Sequence, residues 1–297
     1  MSSLNLGQLH RDLETATTTR DRIQKETVGL WCETFTADVS RLETNYSGLD
    51  CLPGLARLPG TQTVAHELTG YWGAARDRIP DSGWDNFSQD RNPESHHAGH
   101  GRDISMSDDR EGPEWRGKTL TGTNPHNLVY IRSGQFWANC EEAERRLYEE
   151  RLEPTLRKGL AYLWENLDES GAMALRYLST TNSGFTPSSS SSSPSSSTSS
   201  SPTPAQTSEG QSRESCVTGF FRNLTDLESW AKQHASHLAI YTGALRHAKT
   251  FGDKRRFRTW HEVAVLRGGE ARFEYVNCPP GTGVMGCRAI MLKEVGP

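Results

Sequence analysis

No run of roughly eighteen apolar residues occurs in the 297-residue chain, which argues against a membrane-spanning helix. The first residues also lack the basic-then-apolar pattern of a secretory leader. Net charge is scarce: 33 Lys and Arg against 37 Asp and Glu leave −4, and the pI is near 6.2. That balance gives no general electrostatic case for nucleic acid or an anionic membrane as partner. Cysteine is present without informative spacing. Cys32, Cys51, Cys140, Cys216, Cys278 and Cys287 contain no C-x-x-C pair, so they read as free thiols in a reducing cytosol, and a cytoplasmic location is expected. These absences leave a small molecule or another protein as the partner.

The chain is long enough to bury a substantial core. Its mean hydropathy of −0.70 is dominated by two local stretches. One runs from about Pro187 to Gln211 and opens PSSSSSSPSSSTSSSPTPAQ, with almost nothing apolar to offset the entropy of ordering. The other, Ser88 to Gly117, is rich in His, Asp, Gly and Arg. The expected organisation is an N-terminal half over 1–87, a polar surface excursion over 88–117, and a central strand and long helix over 118–186. A disordered Ser/Pro-rich insertion over 187–214 and a C-terminal half over 215–297 follow.

Within the ordered blocks, Gly29 to Ala37 reads as extended and ELTGYWGAARDRI, within His66 to Ile79, as strand-like. NLVYIR at Asn127 to Arg132 reads as a short strand ended by Ser133 and Gly134, followed by a helix from about Ala138 to Leu167. Pro154 either kinks that helix or marks a new first turn. Ser215 to Phe221 is strand-like, and Thr225 with Glu228 forms a capping box that opens a helix. Arg258 to Leu266 and Ala271 to Cys278 read as two strands with a hairpin connection at Arg267 to Glu270. Strand, helix, strand, strand is half of a ferredoxin-like unit.

His234 and His237 are three apart, which puts them on one face if the helix from Thr225 continues through HASHLAIY. An imidazole beside Leu238, Ile240 and Tyr241 suits haem, which needs one axial nitrogen in a wide apolar slot. Spacing alone fits an ordinary core histidine better, and a c-type attachment is excluded because C-x-x-C-H is absent. His261 shares a strand face with Val263 and Val265, so it points inward. Ser133 ends a strand at a sheet rim, Arg76 and Arg78 share one side of an extended segment, and Glu43 lies in RLETNYS. Each has a plain structural explanation in isolation: turn, ion pair, exposed carboxylate. Gly281, Gly283 and Gly286 spell G-x-G-x-x-G too near the C-terminus to open a nucleotide-binding fold. His96, His97 and His100 fall in the polar excursion, and Lys254, Arg255 and Arg256 fit a solvated turn.

The order GYWGAARDRIP, NLVYIRSGQFW, GFFRNLTDLESWAKQHASHLAIY, FRTWHEVAVL and FEYVNCPPGTG strongly resembles the haem-containing aldoxime dehydratases, including fungal phenylacetaldoxime dehydratase-like proteins. The resemblance runs from about Val28 to Gly286. It implies an α+β fold of two ferredoxin-like halves forming a barrel-like core of the dimeric α/β-barrel type, with a homodimer as the accompanying expectation. It also implies haem b, ferrous when active, with His237 as axial iron ligand, and His261 as distal acid and base. Ser133 would bond the substrate hydroxyl, Arg76 or Arg78 would line the pocket, and Glu43 matches a family glutamate less securely. The implied reaction is dehydration of R–CH=N–OH to a nitrile. Two departures stand out. Nothing before Val28 resembles the apolar strand with which family members open, so the N-terminal half is expected to be incomplete, and the serine tract is inserted. A non-catalytic haem sensor or carrier, or an inactive truncated member, is the alternative.

Overall fold

The computed structural model describes residues 29–48, 50–88, 118–180 and 213–295. The polar excursion and the serine tract lie almost wholly outside these residues, as do His96, His97 and His100. The strands are β1 (Leu30–Phe35), β2 (Leu42–Tyr46), β3 (Thr119–Thr123), β4 (Leu128–Phe136) and β5 (Ala172–Ser179). They continue with β6 (Glu214–Phe221), β7 (Arg258–Leu266), β8 (Ala271–Val276) and β9 (Leu292–Val295). The helices are α1 (Glu142–Leu147), α2 (Glu153–Glu165), α3 (Leu167–Ser170), α4 (Leu224–Gln233) and α5 (Ala235–Phe251). No helix among the described residues is long and apolar enough to cross a membrane.

The fold is α+β, built on two antiparallel sheets ordered β1-β8-β3-β9 and β2-β7-β4-β6-β5, and neither sheet closes among the described residues. Three short connections, Phe35 to Leu42, Thr123 to Leu128 and Leu266 to Ala271, carry the chain from one sheet to the other. The five-stranded sheet is the middle layer. One face packs Leu128, Phe220, Ala264 and Leu266 against Leu120, Phe273 and Tyr275 of the smaller sheet. The opposite face packs Val129, Ile131, Val217, Val263 and Val265 against Leu163 of α2 and Leu224, Leu227 and Trp230 of α4. A strand covered on both faces needs apolar residues at consecutive positions, which is why β7 ends in VAVL, Val263 to Leu266.

Several local expectations change. Strand β4 does not stop at Ser133 but runs to Phe136, because residues 133–136 keep antiparallel partners on both sides, in β6 and in β7. The link at 267–270 is a turn but not a hairpin. β7 pairs with β2 and β4 whereas β8 pairs with β1 and β3, so the link is a corner between sheets. Gly269, at φ 86°, takes the left-handed step of that corner. The long helix is interrupted by a π turn over Tyr148–Leu152, with Pro154 in the first turn of the segment that follows. The buried ring of Tyr148 sits there between Trp137 and Phe257, at 4.5 and 4.7 Å.

GYWGAARDR, read as strand-like, instead makes 3-10 turns over Trp72–Arg78. With three residues per turn, positions two apart point in different directions, so Arg76 and Arg78 diverge rather than share a side. The capping residue of α4 is Asn223, whose Oδ1 accepts from the Asp226 N–H at 2.8 Å, and not Thr225. The helix then stops at Gln233. His234 is extended (φ −80°, ψ 131°) and caps α5 instead of continuing α4, so it does not share a helix face with His237.

Gly134 lies opposite Trp260 in the β4–β7 register, and a Cβ on it would meet Trp260 Cε2 at 2.0 Å. Gly134→Ala should therefore cost about 1–3 kcal/mol of stability through overpacking. Urea unfolding monitored by tryptophan fluorescence measures this; an unchanged midpoint would show that Trp260 is free to move.

Candidate functional site

The site lies between the middle sheet and the helices. His261 projects from β7 on the same face as Val263 and Val265, and its partners across the ladders are Ser133 of β4 and Asn45 of β2. Glu43, two residues from Asn45, therefore stands on the same face beside His261. The 3-10 segment at 72–78 closes over this surface and brings Arg78 into it.

Arg78 has no exchangeable role there, because a guanidinium only donates. Its Nε–H donates to Glu43 Oε2 at 3.0 Å, and Nη2 lies 2.7 Å from His261 Nε2 and 3.4 Å from Glu43 Oε1. Its Nη1 donates to the carbonyls of Thr69 (2.5 Å), Ala74 (3.1 Å) and Tyr71 (3.2 Å). The ion pair is sealed, with side-chain exposures of 4% for Arg78 and 0% for Glu43. Glu43 Oε1 is also 3.0 Å from His261 Nε2. That nitrogen thus faces a cationic donor and an anionic acceptor at once. As a lone pair it accepts from Arg78; as N–H it donates to Glu43.

Ser133 is buried, and its Oγ lies 3.4 Å from the Gln135 amide nitrogen, whose orientation is set by Ser215 Oγ on Gln135 Oε1 at 2.8 Å. Accepting from Gln135 leaves the Ser133 O–H to donate. Arg76 is not brought into this cluster. It forms a forked pair with Glu228 (2.7 and 3.1 Å) and donates to the Asn86 carbonyl, bracing the 3-10 segment on α4.

His237 occupies the other side. The break at His234 follows from two contacts: its ring stacks on Tyr162 at 3.7 Å, and its Nδ1 accepts from the Ser236 N–H at 3.3 Å. The restarted helix carries His237 back toward α4, where Nδ1 donates to the Ala231 carbonyl at 2.8 Å. A carbonyl only accepts, so Nδ1 holds the proton and Nε2 the lone pair. The ring is walled by Trp230 (4.6 Å), Trp72 (5.7 Å) and Tyr71 (6.1 Å). Burial, only partly offset by the Ala231 bond, pushes His237 down to about 4. A neutral imidazole with its distal nitrogen anchored and aromatic walls around it is a donor set that fits a planar cofactor taking one axial nitrogen. Trp72 touches both sides of the site, since its ring is also 5.7 Å from His261.

Residue reading found the two histidines, Ser133, Glu43 and the arginine pair, but missed Tyr71, Trp72, Trp230 and Gln135. The available signal was their place inside the resembling segments GYWG, ESWAKQ and IRSGQ. The G-x-G-x-x-G stretch lies in the turns between β8 and β9, with no helix behind it.

The depressed His237 value has a definite sign. The unfolded histidine titrates near 6.5 and the folded one near 4, so the unfolded state binds more protons between these values. Stability from neutral burial is complete above pH 6.5 and is lost as pH falls toward 4. In the haem-free protein this loss should be about 3 kcal/mol and should be missing from His237→Gln. Denaturant titrations at pH 7 and 4 check it, and parallel pH slopes in the two proteins would count against the buried neutral histidine.

The sequence model of the haem-containing dehydratase family matches residues 7–284. The chain is 30% identical over 271 residues to phenylacetaldoxime dehydratase of Bacillus sp. (strain OxB-1), an alignment covering 87% of this chain and 63% of that protein. It is 29% identical over 273 residues to aliphatic aldoxime dehydratase of Pseudomonas chlororaphis, covering 90% and 64%. The fold is similar to a crystal structure of an aldoxime dehydratase in complex with butyraldoxime (TM-score 0.63, 28% identity, 86% of this chain and 60% of that one). It is also similar to a second aldoxime dehydratase structure (TM-score 0.66, 27% identity, 92% and 66%). The chain therefore spans a little under two thirds of the length of the curated relatives it matches. With the family model covering nearly the whole chain, and the buried histidines, arginine and serine standing where its segments meet, this protein belongs to the haem-containing dehydratase family.

Proposed function

We propose that this protein is a haem-dependent lyase that dehydrates aldoximes, R–CH=N–OH, to nitriles and water. The observation that carries the proposal is the sealed Glu43–Arg78–His261 cluster with Ser133 across the ladder, linked to His237 by the Trp72 ring that neighbours both histidines. A haem sensor or carrier needs His237 but has no use for a buried acid–base group of this kind, whose desolvation is costly.

In this reading His237 holds haem b through Nε2. What the ferrous haem supplies when bound is an electron-rich centre for the oxime nitrogen, which weakens the N–O bond. Ser133 donates its O–H to the oxime hydroxyl oxygen, orienting it toward His261. Protonated His261 keeps its Nε2–H on Glu43 and gives its Nδ1 proton to the departing hydroxyl, which leaves as water. Neutral His261, still donating from Nε2 to Glu43, then takes the carbon-bound proton at Nδ1, which restores the starting state. Glu43 accepts from Nε2–H in both charge states, so the ring is held while Nδ1 acts first as acid and then as base. Arg76 stays outside the chemistry. The two ferredoxin-like halves, the barrel-like core and the homodimer implied by the resemblance belong to the same proposal. The barrel-like core draws support from the three short connections that carry the chain from one sheet into the other.

The test is nitrile formation from an aldoxime under anaerobic reducing conditions. His237→Ala should abolish the Soret band, and a wild-type protein with no Soret band after haem loading would end the haem reading. His261→Ala should keep the band and lower nitrile formation by about 10²–10⁴-fold, the usual weight of a general acid–base group. Full activity in that variant would overturn the acid–base role of His261, whereas a haem-loaded wild type that forms no nitrile would leave the sensor or carrier. Arg78→Lys should also lose activity, because one ammonium cannot serve Glu43, His261 and three carbonyls, whereas Arg76→Lys should stay within about threefold of wild type. Equal losses in the two lysine variants would contradict the assignment of Arg78.

A further inference from the structure

The Ala231 carbonyl is shared. It is one of the last carbonyls of α4, which have no partner within the helix. The neighbouring carbonyl, of Trp230, is taken by the His234 N–H at 3.1 Å. Ala231 O instead accepts two side-chain donors: His237 Nδ1–H at 2.8 Å and the Tyr71 hydroxyl at 2.5 Å. A carbonyl oxygen has two lone pairs, so both donors fit. Each nonetheless draws density from the same oxygen, and the phenol is the shorter of the two bonds. The Tyr71 ring is held for this by Tyr241 at 4.4 Å, and its backbone carbonyl accepts from Arg78.

How strongly a carbonyl pulls on Nδ1–H sets how basic Nε2 is toward a metal. A weaker pull gives a less basic ligand, which favours the lower charge on iron. We propose that Tyr71 is a positioning residue that tempers His237 through the shared Ala231 carbonyl and so raises the Fe(III)/Fe(II) potential of bound haem. This rests on the reading of His237 as the iron ligand. It gives Tyr71 a task in favouring ferrous haem, although it touches neither iron nor substrate.

The experiment compares haem-loaded full-length wild type with Tyr71→Phe. Freed from competition, the carbonyl pulls harder on Nδ1–H. The midpoint potential should shift lower and the ferrous Fe–His stretching band in resonance Raman should shift to higher frequency, with the Soret band retained. Unmoved potential and stretch in a normally loaded Tyr71→Phe overturn the proposal alone; a wild type without a Soret band overturns it together with the ligand reading. Should Tyr71→Phe fail to fold, 3-fluorotyrosine at position 71 provides a stronger donor of nearly the same shape, and both readouts should move in the opposite direction. Packing is separated from the carbonyl path by His237→Gly loaded with haem and either imidazole or 1-methylimidazole. The Tyr71→Phe shift should appear with imidazole, which keeps an N–H for Ala231, and vanish with 1-methylimidazole. Equal shifts with both ligands would overturn the proposed path.

Discussion

The candidate site depends first on what the Arg78 guanidinium touches. A buried guanidinium must find acceptors for its N–H groups, or its desolvation goes uncompensated. Arg78 finds them in Glu43 of β2, His261 of β7 and the carbonyls of Thr69, Tyr71 and Ala74. Its planar fork therefore ties two sheet strands to a segment that has no ladder of its own. Glu43 is the counter-charge that makes this burial tolerable, and His261 is the titratable group placed between them.

That tie has consequences on the opposite side of the site. The backbone of 69–74 is held by Arg78, and this same stretch presents Trp72 to both histidines and Tyr71 to the end of α4. Arg76 fastens the segment to α4 from outside through Glu228, which also pairs with Lys232. Two arginines two residues apart thus do different work because the 3-10 turn sends them in different directions. The break between α4 and α5 completes the arrangement. An uninterrupted helix would satisfy the Ala231 carbonyl internally, whereas the stop at Gln233 leaves it for His237 and Tyr71.

Legibility followed how local the physics is. β7 was readable over Arg258 to Leu266 because a run of β-branched and apolar residues bounded by turns has few alternatives. The inward direction of His261 followed from its alternation with Val263 and Val265. Ser133 was recognised but set at a strand end, because Ser-Gly is a turn signal locally; Gly134 is instead the space that the Trp260 ring occupies. The corner at 267–270 shows the same limit, since a four-residue turn does not state whether its flanking strands pair with each other. GYWGAARDR was misread as extended because a segment held by distant side chains need not satisfy a backbone period of its own.

The sequence by itself determined the membership: five ordered segments and the residue types within them, which carry His237, His261, Ser133 and the arginine pair but not Glu43. It also determined the strands that are buried on both faces, because burial writes itself into consecutive residues. Tertiary structure alone put Arg78 against Glu43 and His261 and Arg76 against Glu228, separated His234 from His237, and gathered Tyr71 and His237 on one carbonyl. Those outcomes turn on contacts such as the 152 positions from Arg76 to Glu228 and the 183 from Arg78 to His261. Neighbouring residues do not encode such distances; only packing of the sheet against the helices sets them.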